Sequence, residues 1–140
     1  MDVCCLCRPF DDRTQDRVRI ESEAVLAILK RCSKDWILVG SEAIDFEISM
    51  MRDYKKRRDV ELYISLSREK TIMDNAIVNR ASELEKIGFK AIDAMHISFA
   101  ESSADVMLTT DEGILRNARR NSKLIMIEIY NPVWWLMNVL

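Results

Sequence analysis

Asp2, Glu47, Asp93 and Asp111 are the residues best placed for chemistry in this chain. Carboxylate oxygens brought together from several elements are the hard ligands that a divalent cation such as Mg2+ or Mn2+ takes. Asp93 is the most telling of the four. Its segment, Ala91-Ile-Asp-Ala-Met-His-Ile-Ser-Phe-Ala100, is apolar nearly all round and reads as a largely buried helix. A buried carboxylate without a partner costs several kcal/mol or titrates to its neutral form. No Lys or Arg lies between Ala91 and Ala100 to offset it. A cation shared with other acids would supply the missing charge. Asp111 directly follows Leu108-Thr-Thr110, Glu47 falls in the second turn of a helix that leaves an apolar run, and Asp2 stands at the end of whatever strand opens the chain.

Taken singly, each acid has a plainer reading. Asp111 alone is a helix N-cap, Asp2 a loose terminal charge and Glu47 a solvated helix residue. Glu42 and Asp45 compete with Glu47 for its place. The case is therefore collective. His96 lies three residues after Asp93 on the same helix and invites a general-base role, but a lone His on an apolar helix reads first as a hydrogen-bonded core residue. The basic run Arg52 to Arg58 and the cluster Arg116, Arg119, Arg120 and Lys123 read as solvated faces that could also meet phosphates. The candidate phosphate contacts are Arg8, Arg52, Lys55, Lys56 and Arg116. Trp134 and Trp135 sit in an apolar segment and read as core or dimer contacts rather than base-stacking platforms.

These residues need elements to hold them. Periodic apolar positions Ile20, Ala24, Ala27 and Ile28 predict a helix from Thr14 to about Cys32. The run Trp36 to Gly40 predicts a buried strand, and Ser41 caps the helix that follows, with Glu42 in its positive first turn. A second helical segment ends near Ser67, and Glu69 to Met73 makes a short strand. Asp74 caps a helix carrying Ile77, Ala81, Leu84 and Ile87 on one face, and Gly88 stops it. Further expectations are a helix from Lys90 to Ser102, a strand Asp105 to Thr110, a helix Asp111 to Asn121, a strand Leu124 to Ile129 and a short terminal helix over Val133 to Met137. Strands alternating with helices, with no hairpin signal, argue for a three-layer α/β/α sandwich around a mainly parallel central sheet. In such sheets, ligands bind beyond the carboxyl ends of the strands, where Asp2 and Asp111 are expected.

At 140 residues the chain suits one domain, with no linker or repeat. A formal charge of -2 gives no general pull on a polyanion, so RNA contact would rest on local basic patches. No apolar stretch is long enough for a bilayer and no signal peptide opens the chain, so a cytoplasmic protein without membrane contact is expected. Cys4, Cys5, Cys7 and Cys32 imply neither a disulfide framework nor zinc, because Cys32 stands alone and His96 is the single His. They read as small apolar groups.

In this order, Asp2-Val-Cys-Cys-Leu-Cys-Arg-Pro-Phe-Asp-Asp12, Gly40-Ser-Glu-Ala-Ile-Asp-Phe-Glu47, Ile92-Asp-Ala-Met-His96 and Leu108-Thr-Thr-Asp111 resemble the motifs of PIN-domain proteins, the family of the VapC-like toxin ribonucleases. The resemblance covers the whole chain. It implies that Asp2, Glu47, Asp93 and Asp111 are the catalytic carboxylates and metal ligands, that Thr109 or Thr110 supports them through a hydroxyl, and that Glu47 is preferred over Glu42 and Asp45. It implies endonucleolytic hydrolysis of RNA with Mg2+ or Mn2+, leaving 5′ phosphate and 3′ hydroxyl ends. It further implies a toxin held by a cognate antitoxin, and a homodimer. Two departures stand out. The family begins with more apolar residues before its first Asp, so the first strand is expected to be truncated here and the true start to lie upstream. Cys7 replaces the usual Asn before Arg-Pro. The competing expectation is an interaction module with a degraded site that binds a protein partner.

Overall fold

The computed structural model describes residues 1–140 as an α/β protein. Its elements in chain order are α1 (Val3–Cys7), a 3-10 turn Arg8–Phe10, α2 (Asp16–Cys32), β1 (Val39–Ser41), α3 (Glu42–Ser49), α4 (Tyr54–Ile64) and β2 (Glu69–Thr71). Then come α5 (Asn75–Lys86), α6 (Ala91–Ser103), β3 (Val106–Leu108), α7 (Glu112–Arg120), β4 (Glu128–Tyr130) and α8 (Pro132–Val139).

Side-chain caps set most helix starts, because the first N–H groups of a helix lack internal partners. Ser41 Oγ accepts from Ile44 N at 3.1 Å, Asp53 from Lys56 N at 3.1 Å and Asp74 from Ile77 N at 2.9 Å. Asn131 accepts from Val133 N at 2.9 Å, and Pro132 fills a first-turn position that needs no N–H. Gly88 follows α5 with φ +107°, a conformation that glycine adopts without the clash a Cβ brings.

The strands form two separate parallel ladders. β1 pairs β2 in the register Val39↔Glu69, and β3 pairs β4 in the register Val106↔Glu128. The expected single central sheet is thus divided. No ladder joins β1 to β3, and a cavity of about 670 Å³ lies between them. Two helical cores flank β3. Leu108 joins a cluster with Leu6 of α1, Val25 and Leu29 of α2, and Ile44 and Ile48 of α3. Met107 joins the opposite cluster with Leu84 of α5, Ile97 of α6 and Ile114 of α7. Successive strand residues face opposite ways, so helices cover both faces of this strand.

Several expectations are corrected. Each strand is three residues long, shorter than its apolar run: Ile37, Leu124 and Met126 are exposed rather than buried in a sheet. α2 begins at Asp16, and its buried face carries Val18, Glu21, Ala24, Val25, Ile28 and Leu29, leaving Ile20 exposed. Of Met1-Asp2-Val3, expected as the tail of a strand, Val3 instead opens the helix Val3–Cys7, which Asp2 caps. No helix is long and apolar enough to cross a membrane.

Candidate active site

Asp2 enters the site through three bonds. Its backbone N–H donates to Leu108 O at 3.1 Å, its Oδ1 accepts from Cys5 N at 3.1 Å, and its Oδ2 accepts from the Thr109 hydroxyl at 2.5 Å. It is 4% exposed, so it is a buried, hydrogen-bonded carboxylate and not a loose terminal charge. Burial pushes its carboxyl above the usual Asp range, against the opposing pull of Thr109, Cys5 N–H and His96.

Thr109 follows β3 and is fully buried. Its hydroxyl donates to Asp2 and also accepts from Asp111 N–H at 3.0 Å, so one side chain ties two of the acids together. Asp111 Oδ1 in turn accepts from Ile114 N at 3.1 Å as the N-cap of α7. Thr110, the other candidate for this supporting role, makes no side-chain bond to the acids; its carbonyl meets Arg17 Nη2 at 3.4 Å.

Asp93 sits half-buried in the first turn of α6, where the positive end of the helix favours an acid. Burial raises its carboxyl above the usual range, and the negative charges of Asp111 and, more weakly, Asp2 add to the rise. The three Asp side chains are therefore electrostatic neighbours. Glu47 reaches the same region from α3: its Oε2 lies 3.6 Å from His96 Nε2. Cys4, on α1, faces the group as well. Desolvation raises its thiol, and Asp2, Glu47 and Asp111 raise it further, which keeps the sulfur protonated. From the sequence Cys4 reads only as an apolar filler, since the five-residue helix that carries it has no periodic signal.

The competitors of Glu47 are engaged elsewhere. Asp45 pairs with Lys70, and Glu42 Oε1 accepts from Met73 N at 3.1 Å. His96 is a core residue as expected, but the expected hydrogen bond is missing: Nε2 is buried with no partner. The nearest acidic oxygen, Glu47 Oε2 at 3.6 Å, lies just beyond hydrogen-bond distance.

No protein-family model, curated protein or solved structure matches this chain.

None of the four acids has an Arg or Lys within salt-bridge distance, whereas other acids withdrawn from solvent do. Buried Glu21 takes Arg8 at 2.6 Å and Arg17 at 3.0 Å, with Asn131 Nδ2 at 2.8 Å, and Glu101 takes Arg80 at 2.7 Å. The all-oxygen donor set, the mutual repulsion and the orphaned His96 nitrogen fit a hard divalent cation with a partly aqueous shell. No three of these groups are drawn together into a ready-made ion cage. Asp2 and Asp111 are fixed by Thr109, while Asp93 and Glu47 have side chains free of other bonds to close on a cation.

The basic candidates divide. Arg8 is committed to Glu21 and to Asp11 at 3.2 Å, and Lys56 to Asp11 at 2.6 Å, so neither is free for a phosphate. Arg52, Lys55 and Arg116 are exposed and form no ion pair. Trp135 packs edge-on against Trp36 at 4.9 Å, and Trp134 lies over Tyr130 at 4.5 Å with about half its surface exposed.

Proposed function

We propose that this protein is a PIN-like, metal-dependent endoribonuclease whose ligand set is Asp2, Glu47, Asp93 and Asp111. One observation supports the reading: Asp2, Asp93 and Asp111 act electrostatically on one another, and Asp2, Glu47 and Asp111 act on Cys4, with no Arg or Lys paired to any of the four, in a molecule that gives arginine to its other buried acids. Repulsion of this kind persists in a fold when a bound cation supplies the compensating charge.

Mg2+ or Mn2+, when bound, would supply activated water and positive charge for the transferring phosphate. The chain's own part is positional. Thr109 holds Asp2 in one rotamer and fixes the backbone of Asp111, so two ligands are set before a cation arrives. Asp93 on α6 and Glu47 on α3 would complete the set. Arg116 on α7 and Arg52 and Lys55 near α4 would guide the RNA backbone as exposed, unpaired cations. The finer architecture that suits this reading is one parallel sheet between two helical layers, with the acids beyond its carboxyl ends. A cognate antitoxin and a homodimer belong to the same proposal.

The test is cleavage of a mixed single-stranded RNA by purified protein with Mn2+ or Mg2+, beside EDTA and Asp93→Asn. Cleavage that needs both the metal and Asp93, with a fall of about a hundredfold or more in the variant, is the expected result. Cleavage that survives in Asp93→Asn would overturn the assignment. Absence of cleavage across several RNAs by folded protein would favour a partner-binding module.

A further inference from the structure

Nε2 of His96 is the one buried side-chain nitrogen or oxygen in the chain without a hydrogen-bond partner. Other polar side chains withdrawn from water are satisfied: Glu21 takes Arg8, Arg17 and Asn131, Ser22 Oγ donates to Val18 O at 2.6 Å, and Ser98 Oγ donates to Ile77 O at 2.7 Å. In the unfolded chain the ring nitrogen bonds to water, so folding leaves it worse off unless something in the native protein meets it. The ring has little freedom to seek a partner. His96 is 6% exposed, and Ala94 and Ile97 of the same helix are fully buried.

Glu47 can come to it. Its Oε2 is the nearest acidic oxygen, at 3.6 Å, and a few tenths of an ångström separate that distance from a hydrogen bond. The Glu47 side chain is 33% exposed and hydrogen-bonds to nothing else, so rotation about its own bonds closes the gap. Neither of the other acids that sense the ring competes. Both oxygens of Asp2 already accept, from Cys5 N and from Thr109, and no oxygen of Asp93 lies within ion-pair distance of the ring. An ionised carboxylate only accepts, so the nitrogen that meets it has to carry the ring proton.

We propose that His96 is the positioning residue for Glu47: Nε2–H donates to Oε2 and holds the carboxylate with Oε1 free for the acid group. Glu47 moves and the ring stays. The bond gives Glu47 what the Thr109 hydroxyl gives Asp2, a tether from a buried donor that selects one side-chain orientation. Its consequence for a cation rests on the metal reading above, whereas the bond itself does not. With it, Asp2 and Asp111 are held through Thr109 and Glu47 through His96, and Asp93 alone is left to adjust.

His96 is the single histidine of the chain, so isotopic labelling of imidazole nitrogens leaves one ring to read by NMR. Spectra are taken in EDTA at about pH 8, above the ordinary imidazole range, for the parent and for Glu47→Ala. The expected result is a proton on Nε2 in the parent and an Nε2 resonance that shifts in Glu47→Ala. A ring protonated on Nδ1, or an Nε2 resonance indifferent to Glu47→Ala, overturns the proposal whether or not a cation binds. Calorimetric titration with Mn2+ gives the second reading. His96→Leu is expected to weaken binding at least about tenfold, His96→Gln, whose amide keeps a donor of similar reach, to restore most of it, and His96→Leu to change nothing further in the Glu47→Ala background. An equal loss from His96→Leu in both backgrounds overturns the positioning role. If the parent binds no Mn2+, the metal reading fails, and the ring spectra alone decide the bond to Glu47.

Discussion

Asp93 and Glu21 show how the same residue class takes opposite parts in one small protein. Both are withdrawn from water. Glu21 is held below the usual range: burial raises its carboxyl, but bonds from Arg8, Asn131 and Arg17 outweigh that. Its contribution to stability is present above the ordinary Glu value and lost as pH falls through its lowered folded value. Asp93 has no such partners and is raised from the ordinary 3.8 by burial, Asp111 and Asp2. Its folded form prefers the proton, so its favourable contribution is complete below pH 3.8 and disappears as pH rises through the raised value. In metal-free buffer, Asp93→Asn should therefore match the parent in acid and become increasingly more stable than it as pH rises toward neutrality. Urea denaturation across that range checks the sign. A variant less stable than the parent at neutral pH would mean that Asp93 has a favourable partner. The unpartnered Asp93 was legible in the sequence, because the apolar residues around it lie on one short segment, although it is half-buried rather than buried. The tie from Thr109 to both Asp2 and Asp111 was legible only as a choice between two threonines, since which hydroxyl turns inward depends on the strand pairing.

Asp111 has two duties at the level of its element, as a member of the acid group and as the cap of α7. They separate by substitution. Asn retains a side-chain oxygen for Ile114 N and Ala does not, so Asp111→Ala should cost about 1 kcal/mol more stability than Asp111→Asn. If the acid binds a catalytic cation, both variants should lose RNA cleavage alike. Parallel denaturation curves and cleavage assays check the pair; full activity in Asp111→Asn would reduce the residue to a cap. The helices were largely readable for the same reason that this one is. Ser41, Asp74 and Asp111 cap locally, and Gly88 terminates locally, so a few adjacent residues decide each boundary. The strands were not. Their apolar runs identify candidates, but ladder length depends on a neighbour distant in sequence, and β1 and β3 have one neighbour each.

Across the whole molecule, alternating strands and helices gave the α/β class, and parallel pairing followed as expected. The strands stand as two parallel pairs rather than one central sheet, with no ladder between β1 and β3. Asp2, Asp93 and Asp111 are nevertheless electrostatic neighbours, each carried at a helix start. A cation is the proposed missing partner of these acids. The most direct measurement is the thermal midpoint of the parent and of Asp93→Asn at neutral pH, with Mn2+ added against EDTA. A ligand at a hundredfold excess over its Kd adds roughly 2.7 kcal/mol, or about 5–10 °C for a chain of this size. A rise of that order in the parent, much reduced in Asp93→Asn, is the predicted result. No rise in the parent, or the same rise in both, would contradict a cation held by these acids.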